Sequence, residues 1–258
     1  MTQVASILCT EGLSVAFGGH LAVDDVDFEV PEHAFISIIG PNGAGKTTFF
    51  NLLSGQLKPT KGRIWFRGAE ITHLPPEHRA MLGVGRSFQI ANILPNLTTF
   101  ENVRLAVQAK RPERFRFFRH HRSFSSLNDR VAEILGRVSL WHKREALARY
   151  LTHGEKRKLE IAMLLAMDSA LFLLDEPTAG MSVEEVPQIL DVISALRDER
   201  KRTILLIEHK VDMVLNLSDT VAVLHQGRLI AQGPPQAIMQ NELVQTAYLG
   251  GLGHVGAS

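Results

Sequence analysis

Apolar and polar residues alternate along the first part of the chain, and short apolar runs separated by amphipathic segments follow. Residues 13–17 and 26–30 alternate on either side of a Gly-Gly turn, which predicts an antiparallel hairpin. Further strands are predicted over residues 35–39, 62–68, 171–174, 203–207, 221–224 and 227–231. Helices are predicted over residues 98–107, 128–138, 156–167 and 184–197, after Lys210, and twice within residues 234–249.

Strands and helices alternate through the second half of the chain, which favours a mostly parallel sheet covered by helices on both faces. A capping box of Thr98 and Glu101 predicts a helix start, and Gly55 predicts a helix end. We expect an α/β fold with an N-terminal antiparallel β subdomain. A single domain is expected over residues 1–250, with a helical subdomain inserted at about 90–167 and a flexible tail at 251–258.

The 258 residues are 45% hydrophobic and 21% charged, which is typical of a soluble globular protein with one α/β domain. The formal net charge of +1 gives no reason to expect a nucleic-acid partner. A single cysteine, Cys9, excludes an internal disulfide. The N-terminus lacks the features of a signal peptide, and Asp168 interrupts the longest apolar run, residues 161–174, so no membrane span is expected.

Residues 40–48 match the phosphate-binding pattern G-x-x-x-x-G-K-[ST] without a mismatch. An apolar strand precedes them and an apolar helix follows, which is the context that this loop requires. Its backbone N–H groups and the helix N-terminus would surround a phosphate. Lys46 is expected to reach the terminal phosphates, and the Thr47 hydroxyl is expected to bind Mg²⁺. The predicted nucleotide-binding residues here are Gly40, Pro41, Asn42, Gly43, Ala44, Gly45, Lys46, Thr47 and Thr48.

Two carboxylates, Asp175 and Glu176, follow the apolar strand that begins at residue 171. A buried strand of an open α/β sheet presents its C-terminal residues to the ligand crevice. We therefore expect Asp175 to hold Mg²⁺ and Glu176 to polarise the water that attacks the terminal phosphorus. The alternative is a pair of helix-capping acids, which the phosphate loop upstream disfavours.

Two further features have competing interpretations. Phe17, before the Gly-Gly turn, either stacks on a purine base or is a core residue. Residues 110–122 hold six Lys or Arg side chains, one acid and three phenylalanines. A solvated loop or a docking surface is favoured there over contact with anionic lipid headgroups.

With these motifs the chain resembles the ATP-binding-cassette (ABC) ATPases, because residues 151–155, Leu-Thr-His-Gly-Glu, stand in the place of that family's Leu-Ser-Gly-Gly-Gln signature. The resemblance extends to about residue 250 and implies a P-loop NTPase fold that hydrolyses ATP with Mg²⁺. It also implies adenine stacking by Phe17, a magnesium- and water-sensing role for Gln89, and a switch role for His209 at the γ-phosphate.

The signature keeps two features that suit phosphate binding and departs from the family elsewhere. Thr152 retains a hydroxyl, and Gly154 retains the close-approach glycine at a helix N-terminus, so both can bind phosphate. His153 and Glu155 differ from the family consensus. Ser182 stands where most members carry an aspartate, and it is expected instead to cap the next helix together with Glu185.

In the family that this chain resembles, the signature of one subunit closes on the phosphate loop of another. The resemblance therefore implies a homo- or heterodimer of ATPase subunits. It further implies transmembrane permease subunits as partners at the cytoplasmic face of the cell membrane, and an indirect link to a solute-binding protein. Docking is expected around residues 89–102, where Ile90, Ile93, Leu94 and Leu97 either form an apolar patch or are buried.

Residues 92–98, 151–160 and 179–182 are similar to the corresponding segments of branched-chain amino-acid importers. Importers of urea, amides or aromatic acids share much of this pattern, so the solute stays open, as does the ATPase subunit of an exporter. A cassette ATPase acting in DNA repair or on ribosomes is disfavoured, because the chain carries one cassette and has no room for a long coiled coil.

Overall fold

In a computed structural model of the chain, the described residues are 6–87, 93–110 and 122–249. The predicted hairpin consists of β1 (Ser6–Phe17) and β2 (His20–Pro31), which turn at the Gly-Gly pair. They join β4 (Lys61–Phe66) and β5 (Ala69–Glu70) in an antiparallel sheet with the order β2-β1-β4-β5. The N-terminal antiparallel region is therefore confirmed.

A second sheet forms the centre of the molecule, with the order β10-β9-β3-β8-β7-β6 among the described residues. Every pairing from β9 to β6 is parallel, whereas the edge strand β10 runs antiparallel to β9. The predicted mostly parallel sheet is thus confirmed. Its strands are β3 (Phe35–Ile39), β6 (Val84–Ser87), β7 (Leu171–Asp175), β8 (Thr203–Ile207), β9 (Thr220–His225) and β10 (Arg228–Gly233).

Both faces of this sheet are covered, because successive side chains of each apolar strand point to opposite sides. Phe172 and Leu174 pack into one buried cluster with α3 to α7, whereas Leu171 and Leu173 pack into another with α1 and the antiparallel sheet. The helices are α1 (Lys46–Ser54), α2 (Pro76–Leu82), α3 (Thr99–Ala109), α4 (Arg122–Arg137), α5 (His153–Ala166), α6 (Val186–Asp198), α7 (Val211–Leu217), α8 (Pro235–Met239) and α9 (Glu242–Leu249).

Predicted helix ends agree with the structure in some places and fail in others. The capping box of Thr98 and Glu101 is present, and Gly55 ends α1 with a left-handed φ of +83°. The start predicted at residue 156 is wrong, because α5 begins at His153. Thr152 caps it by accepting a hydrogen bond from the Glu155 backbone, and Glu155 accepts one from the Thr152 backbone.

The arrangement of α3, α4 and α5 bears on the predicted helical insertion. These helices pack against one another on one side of the central sheet. The limits of the subdomain, about 90–167, stay a prediction, and the predicted flexible tail lies outside the described residues. None of the described helices combines the length and the apolar character needed to cross a bilayer.

The five parallel strands among the described residues, β3, β6, β7, β8 and β9, end at the same edge of the central sheet, since parallel strands share one direction. The phosphate-loop pattern follows β3, Asp175 ends β7, and His209 lies two residues beyond β8. Open α/β sheets bind their ligands at this edge. The topology therefore collects in one place the side chains that the sequence separates.

Candidate functional site

The loop between β3 and α1 closes tightly on neighbouring backbone. A Cβ added to Gly40 would lie 2.1 Å from the carbonyl oxygen of Leu224, and one added to Gly45 would lie 2.3 Å from that of Ala22. Neither position has room for a side chain. Gly45 is also the N-cap of α1, with a left-handed φ of +97° and no side-chain cap. The first N–H groups of α1 are therefore left for another acceptor, which suits an anion.

Lys46 is the first residue of α1 and is buried beneath this loop. Its Nζ donates hydrogen bonds to the carbonyl oxygens of Gly40 at 2.8 Å and Pro41 at 3.0 Å. Burial lowers the pKa of the Lys46 ammonium, and the negative charges of Glu176 and Asp175 counter this shift. The lysine thus links the loop to the acidic end of β7.

Asp175 is fully buried at the end of β7 and forms an ion pair with Arg86, whose Nη2 lies 3.1 Å from Oδ2 of Asp175. Arg86 also donates from Nη1 to Asn51 Oδ1 and Ser54 Oγ on α1. Burial raises the pKa of Asp175, and the guanidinium of Arg86 opposes this rise. The ion pair and hydrogen bonds therefore join β6, β7 and α1.

The environment of the second carboxylate oxygen of Asp175 shows whether the end of β7 suits a magnesium ion. Oδ1 is buried and has no hydrogen-bond partner among the described residues. A buried orphan acceptor in a native structure calls for a partner, and a carboxylate with a hydroxyl such as that of Thr47 provides the oxygen ligands that Mg²⁺ prefers. The residues present therefore fit the ion.

Glu176 stands beside the loop with a backbone conformation that is rare for a side-chain-bearing residue. Its φ is +44°, and its N–H donates to the Ile207 carbonyl at 2.9 Å. His209 Nε2 lies 2.9 Å from Glu176 Oε1. Such left-handed residues persist only where the surroundings hold them, and they cluster at functional sites. The structure therefore brings together the predicted general base and the predicted switch histidine.

Glu208 fixes the backbone around His209, and no motif in the sequence points to it. Its buried carboxylate accepts hydrogen bonds from the Thr178 hydroxyl at 2.6 Å and from the backbone N–H groups of His209 and Lys210 at 2.9 and 3.2 Å. Thr178 follows the acidic pair by two residues. The segments after β7 and β8 are thus joined behind the Glu176 and His209 pair.

A pocket of about 230 Å³ opens in front of these groups. Glu176 and His209 line it together with His20, Ala22 and the phosphate-loop residues 42–48. Phe17 is not part of this lining, but it pairs with His20 across the hairpin and is half exposed. The exposure argues against the core interpretation of Phe17. His20, which likewise belongs to no sequence motif, follows the Gly-Gly turn directly.

The structure describes only some of the residues predicted to form the magnesium contact and the apolar docking patch around position 90. Gln89, predicted to contact Mg²⁺ and water, and Ile90 lie outside the described residues. Ile93 packs against the buried cluster on α3 to α7, whereas Leu94 is 46% exposed. The predicted apolar patch is therefore at most partly surface.

Thr152 and Gly154 lie at the N-terminus of α5 rather than in the pocket lining. Oε1 of Glu185 accepts a hydrogen bond from the Gly154 N–H at 3.2 Å. The predicted capping of α6 by Ser182 is wrong. Among the described residues no side chain caps α6, whose N-cap is Glu185 itself, and the Ser182 N–H donates to Oε2 of Glu185 instead. Glu185 is engaged by α5, which the local spacing does not reveal.

One turn further along α5, Arg157 reaches back to the acidic end of β7. Its Nη2 donates to the carbonyl oxygens of Asp175 at 3.5 Å and Glu176 at 3.3 Å, and its Nη1 forms a buried ion pair with Glu160 at 2.6 Å. Burial raises the pKa of Glu160, and Arg157 opposes this rise. Hydrogen bonds from Arg157 therefore connect α5, the signature helix that begins after Thr152, to the backbone of the predicted catalytic glutamate.

The ABC transporter family model matches residues 23–179, which is more than half of the chain. A second model, described as a branched-chain amino acid ATP-binding cassette transporter, matches residues 228–253. Among similar proteins is the high-affinity branched-chain amino acid transport ATP-binding protein LivG of Salmonella typhimurium, 39% identical over 252 residues, 95% of this chain and 98% of that protein.

Two further relatives differ in what their names describe. BraF of Pseudomonas aeruginosa, a high-affinity branched-chain amino acid transport ATP-binding protein, is 39% identical over 249 residues, with 95% of this chain and 98% of the relative covered. The lipopolysaccharide export system ATP-binding protein LptB of Haemophilus influenzae is 32% identical over 248 residues, with the same coverage. Relatives similar along 95% of the chain thus include proteins named for branched-chain amino acid transport and one named for lipopolysaccharide export.

The chain is also similar to solved structures of ATP-binding cassettes. The ADP conformation of MJ1267, an ATP-binding cassette of an ABC transporter, superposes with a TM-score of 0.80 at 28% identity, covering 95% of this chain and 99% of that one. A nucleotide-free cassette from an ABC transporter gives the same values. The dimeric cassette MJ0796 bound to ADP and Pi, at 22% identity and a TM-score of 0.75, shares the fold.

Proposed function

The chain belongs to the ABC transporter family, and from that premise we propose that it is the ATP-hydrolysing subunit of a membrane importer of branched-chain amino acids. The amino-acid assignment rests on the relatives at 39% identity, LivG and BraF, whose names describe branched-chain amino acid transport. The match of residues 228–253 to the branched-chain cassette model supports branched-chain amino acids as the solute over the lipopolysaccharide described for LptB.

The observation that carries the hydrolytic function is the pocket in which the phosphate loop faces Glu176 and His209, 2.9 Å apart. Glu176 accepts a proton from the attacking water, and His209 orients the carboxylate and donates toward the γ-phosphate. Lys46 leaves the loop carbonyls to contact the terminal phosphates. When bound, Mg²⁺ supplies charge neutralisation at the phosphate oxygens, and Thr47 and Asp175 would hold it.

The pocket supplies only part of a site, because Thr152 and Gly154 lie outside its lining. We propose that a second ATPase subunit presents its own Thr152 and Gly154 to the γ-phosphate, as the resemblance to the family implies. Closure of this dimer is then the conformational signal to separate permease subunits, on which the chain sits at the cytoplasmic face of the membrane. A solute-binding protein acts indirectly through those subunits.

The hydrolytic proposal is tested with Glu176→Gln, which keeps the size of the side chain and removes its basicity. Turnover should fall by about 10²- to 10⁴-fold, the usual contribution of a general base, while ATP binding persists. ATP hydrolysis and binding of a fluorescent ATP analogue are measured on the same preparation. Glu145→Gln, at an 81% exposed carboxylate, is the control for loss of one charge. Turnover within twofold of the parent would refute the role of Glu176.

The solute is tested separately by reconstituting the chain with its permease subunits and solute-binding protein in proteoliposomes. ATP-dependent uptake of labelled leucine, isoleucine or valine, abolished by Glu176→Gln, supports the amino-acid importer. Uptake of urea or an amide instead would keep the ATPase and change the solute. ATP-dependent release of material from the vesicles without uptake would favour an exporter.

A further inference from the structure

The carboxylate of Glu185 occupies the N-terminal turn of the signature helix. Its Oε1 accepts the Gly154 N–H at 3.2 Å, and its Oε2 accepts the Ser182 N–H at 3.3 Å. The Thr152 side chain is the largest cause of the lowered pKa of Glu185. Glu185 therefore holds the Gly154 amide and interacts with Thr152, the two residues through which the signature would bind a phosphate.

These contacts favour an anion at this place. The hydrogen bonds from Thr152 and Gly154 lower the pKa of Glu185, so the side chain is charged at neutral pH. The partial positive charge of the N-terminus of α5 acts in the same direction. A γ-phosphate is negatively charged like the Glu185 carboxylate and accepts hydrogen bonds from the same donors. The two anions therefore compete for them.

We propose that Glu185 is a positioning residue that occupies the signature donors until the γ-phosphate of the partner subunit's ATP displaces it. This inference rests on the proposed function, in which Thr152 and Gly154 complete the partner's site. The Gly154 amide has a single hydrogen to donate, so its contact with Glu185 must break before it can bond the phosphate. Glu185 thereby raises the ATP concentration that dimer closure requires.

The test is the ATP concentration that gives half-maximal dimer, measured by size-exclusion chromatography with light scattering in the Glu176→Gln background. Glu185→Gln keeps the length of the side chain and removes its charge. We expect half-maximal dimerisation at roughly tenfold lower ATP, the equivalent of one charge-assisted hydrogen bond no longer displaced. Binding of a fluorescent ATP analogue to the monomer should not change, which separates this effect from a defect in the pocket.

Two matched variants control the experiment. Glu184→Gln removes the same charge one residue earlier, from an exposed side chain, and should leave the ATP requirement unchanged. Glu185→Asp keeps the charge at an N-cap position that favours aspartate, but its shorter side chain cannot reach Gly154 as well. It should therefore also lower the ATP concentration that dimerisation requires. This variant covers the case in which Glu185→Gln folds poorly.

An unchanged or increased ATP requirement in folded Glu185→Gln or Glu185→Asp would overturn the proposal, since it would mean that Glu185 is neutral toward closure or supports it. A decrease of equal size in Glu184→Gln would also overturn it, because general charge repulsion would then explain the shift. If the Glu176→Gln parent binds ATP but never dimerises, the proposal that Thr152 and Gly154 of a second subunit complete the site is wrong. If it binds no ATP, the proposed function itself fails.

Discussion

Replacement of Arg86 by methionine should destabilise the protein in a strongly pH-dependent way. The side chains of Arg86 and Asp175 are 6% and 0% exposed, and their charged atoms are 3.1 Å apart. Removal of one partner from a buried pair typically costs about 3–5 kcal/mol, because the other charge stays behind without compensation. In Arg86→Met the buried carboxylate of Asp175 is that remaining charge.

Protonation of Asp175 sets an upper limit to this cost at about 4 kcal/mol at pH 7. A carboxyl with the ordinary pKa of 3.8 is protonated at pH 7 at about 1.4 kcal/mol for each of roughly three pH units. At pH 5 the same step costs about 2 kcal/mol. The loss of stability in Arg86→Met should therefore fall by about half between pH 7 and pH 5.

The sign follows from the direction of the pKa shift. Burial already raises the pKa of Asp175, and removal of Arg86 raises it further. A carboxyl with a raised pKa in the folded state adds stability below its unfolded pKa, and this stability is lost as the pH rises through the folded pKa. The deficit of the variant must therefore grow from pH 5 to pH 7.

Urea unfolding at the two pH values measures this difference, with the parent as reference at each pH. Arg63→Met is the control, because Arg63 and its partner Glu11 are 60% and 53% exposed, and such a pair contributes at most about 1 kcal/mol. Arg86→Met combined with Asp175→Asn should recover much of the loss, since the buried charge is gone. A deficit within 0.5 kcal/mol of zero, or one that grows at pH 5, would refute the reasoning.

Two further predictions concern the phosphate loop and its helix. Lys46→Ala should weaken ATP binding at least hundredfold while the fold is kept, because a charge contact near 4 Å contributes up to roughly 4 kcal/mol. Equilibrium binding of a fluorescent ATP analogue measures the affinity. An affinity equal to that of the parent would contradict the prediction. Arg79 belongs to α2, and its buried guanidinium lies at the C-terminal end of α1. It donates hydrogen bonds to the backbone carbonyls of Leu52, Leu53, Thr72 and Leu74. Burial lowers the pKa of Arg79 to about 10. Arg79→Met should cost about 2–4 kcal/mol of unfolding free energy in urea, and a loss below 1 kcal/mol would show that the carbonyls find other donors.

Much of the fold is predictable from the sequence, because apolar runs such as residues 171–174 and 203–207 are short, continuous and followed by polar residues. The failures occur where local signals compete. Thr152 and Glu155 have the spacing of a capping box, but they also stand in the place of a signature motif, and α5 starts three residues before the predicted position. Ser182 and Glu185 have the same spacing, but Glu185 turns to Gly154 on another helix.

The candidate site is predictable where a motif is contiguous and unpredictable where it is assembled across strands. Residues 40–48 and the pair Asp175 and Glu176 carry their chemistry in adjacent positions. Arg86 is separated from Asp175 by 89 positions and meets it only because β6 and β7 are neighbours in the sheet. Glu208 likewise acts through Thr178, 30 positions earlier. Such pairs depend on strand order, which no local pattern contains.

The position of α5 has a consequence for a dimer of this family. The N-terminal turn of α5 presents Thr152 and Gly154, which we propose complete the partner's site, while Arg157 contacts the carbonyl oxygens of Asp175 and Glu176 in its own chain. We therefore expect a displacement of α5, when the signature meets a phosphate, to shift the backbone of the glutamate in the chain's own site through Arg157. Because His209 Nε2 lies 2.9 Å from Glu176 Oε1, such a shift would alter the contact between these two side chains. The contacts of α5 thus offer a physical link between the two proposed sites of a dimer.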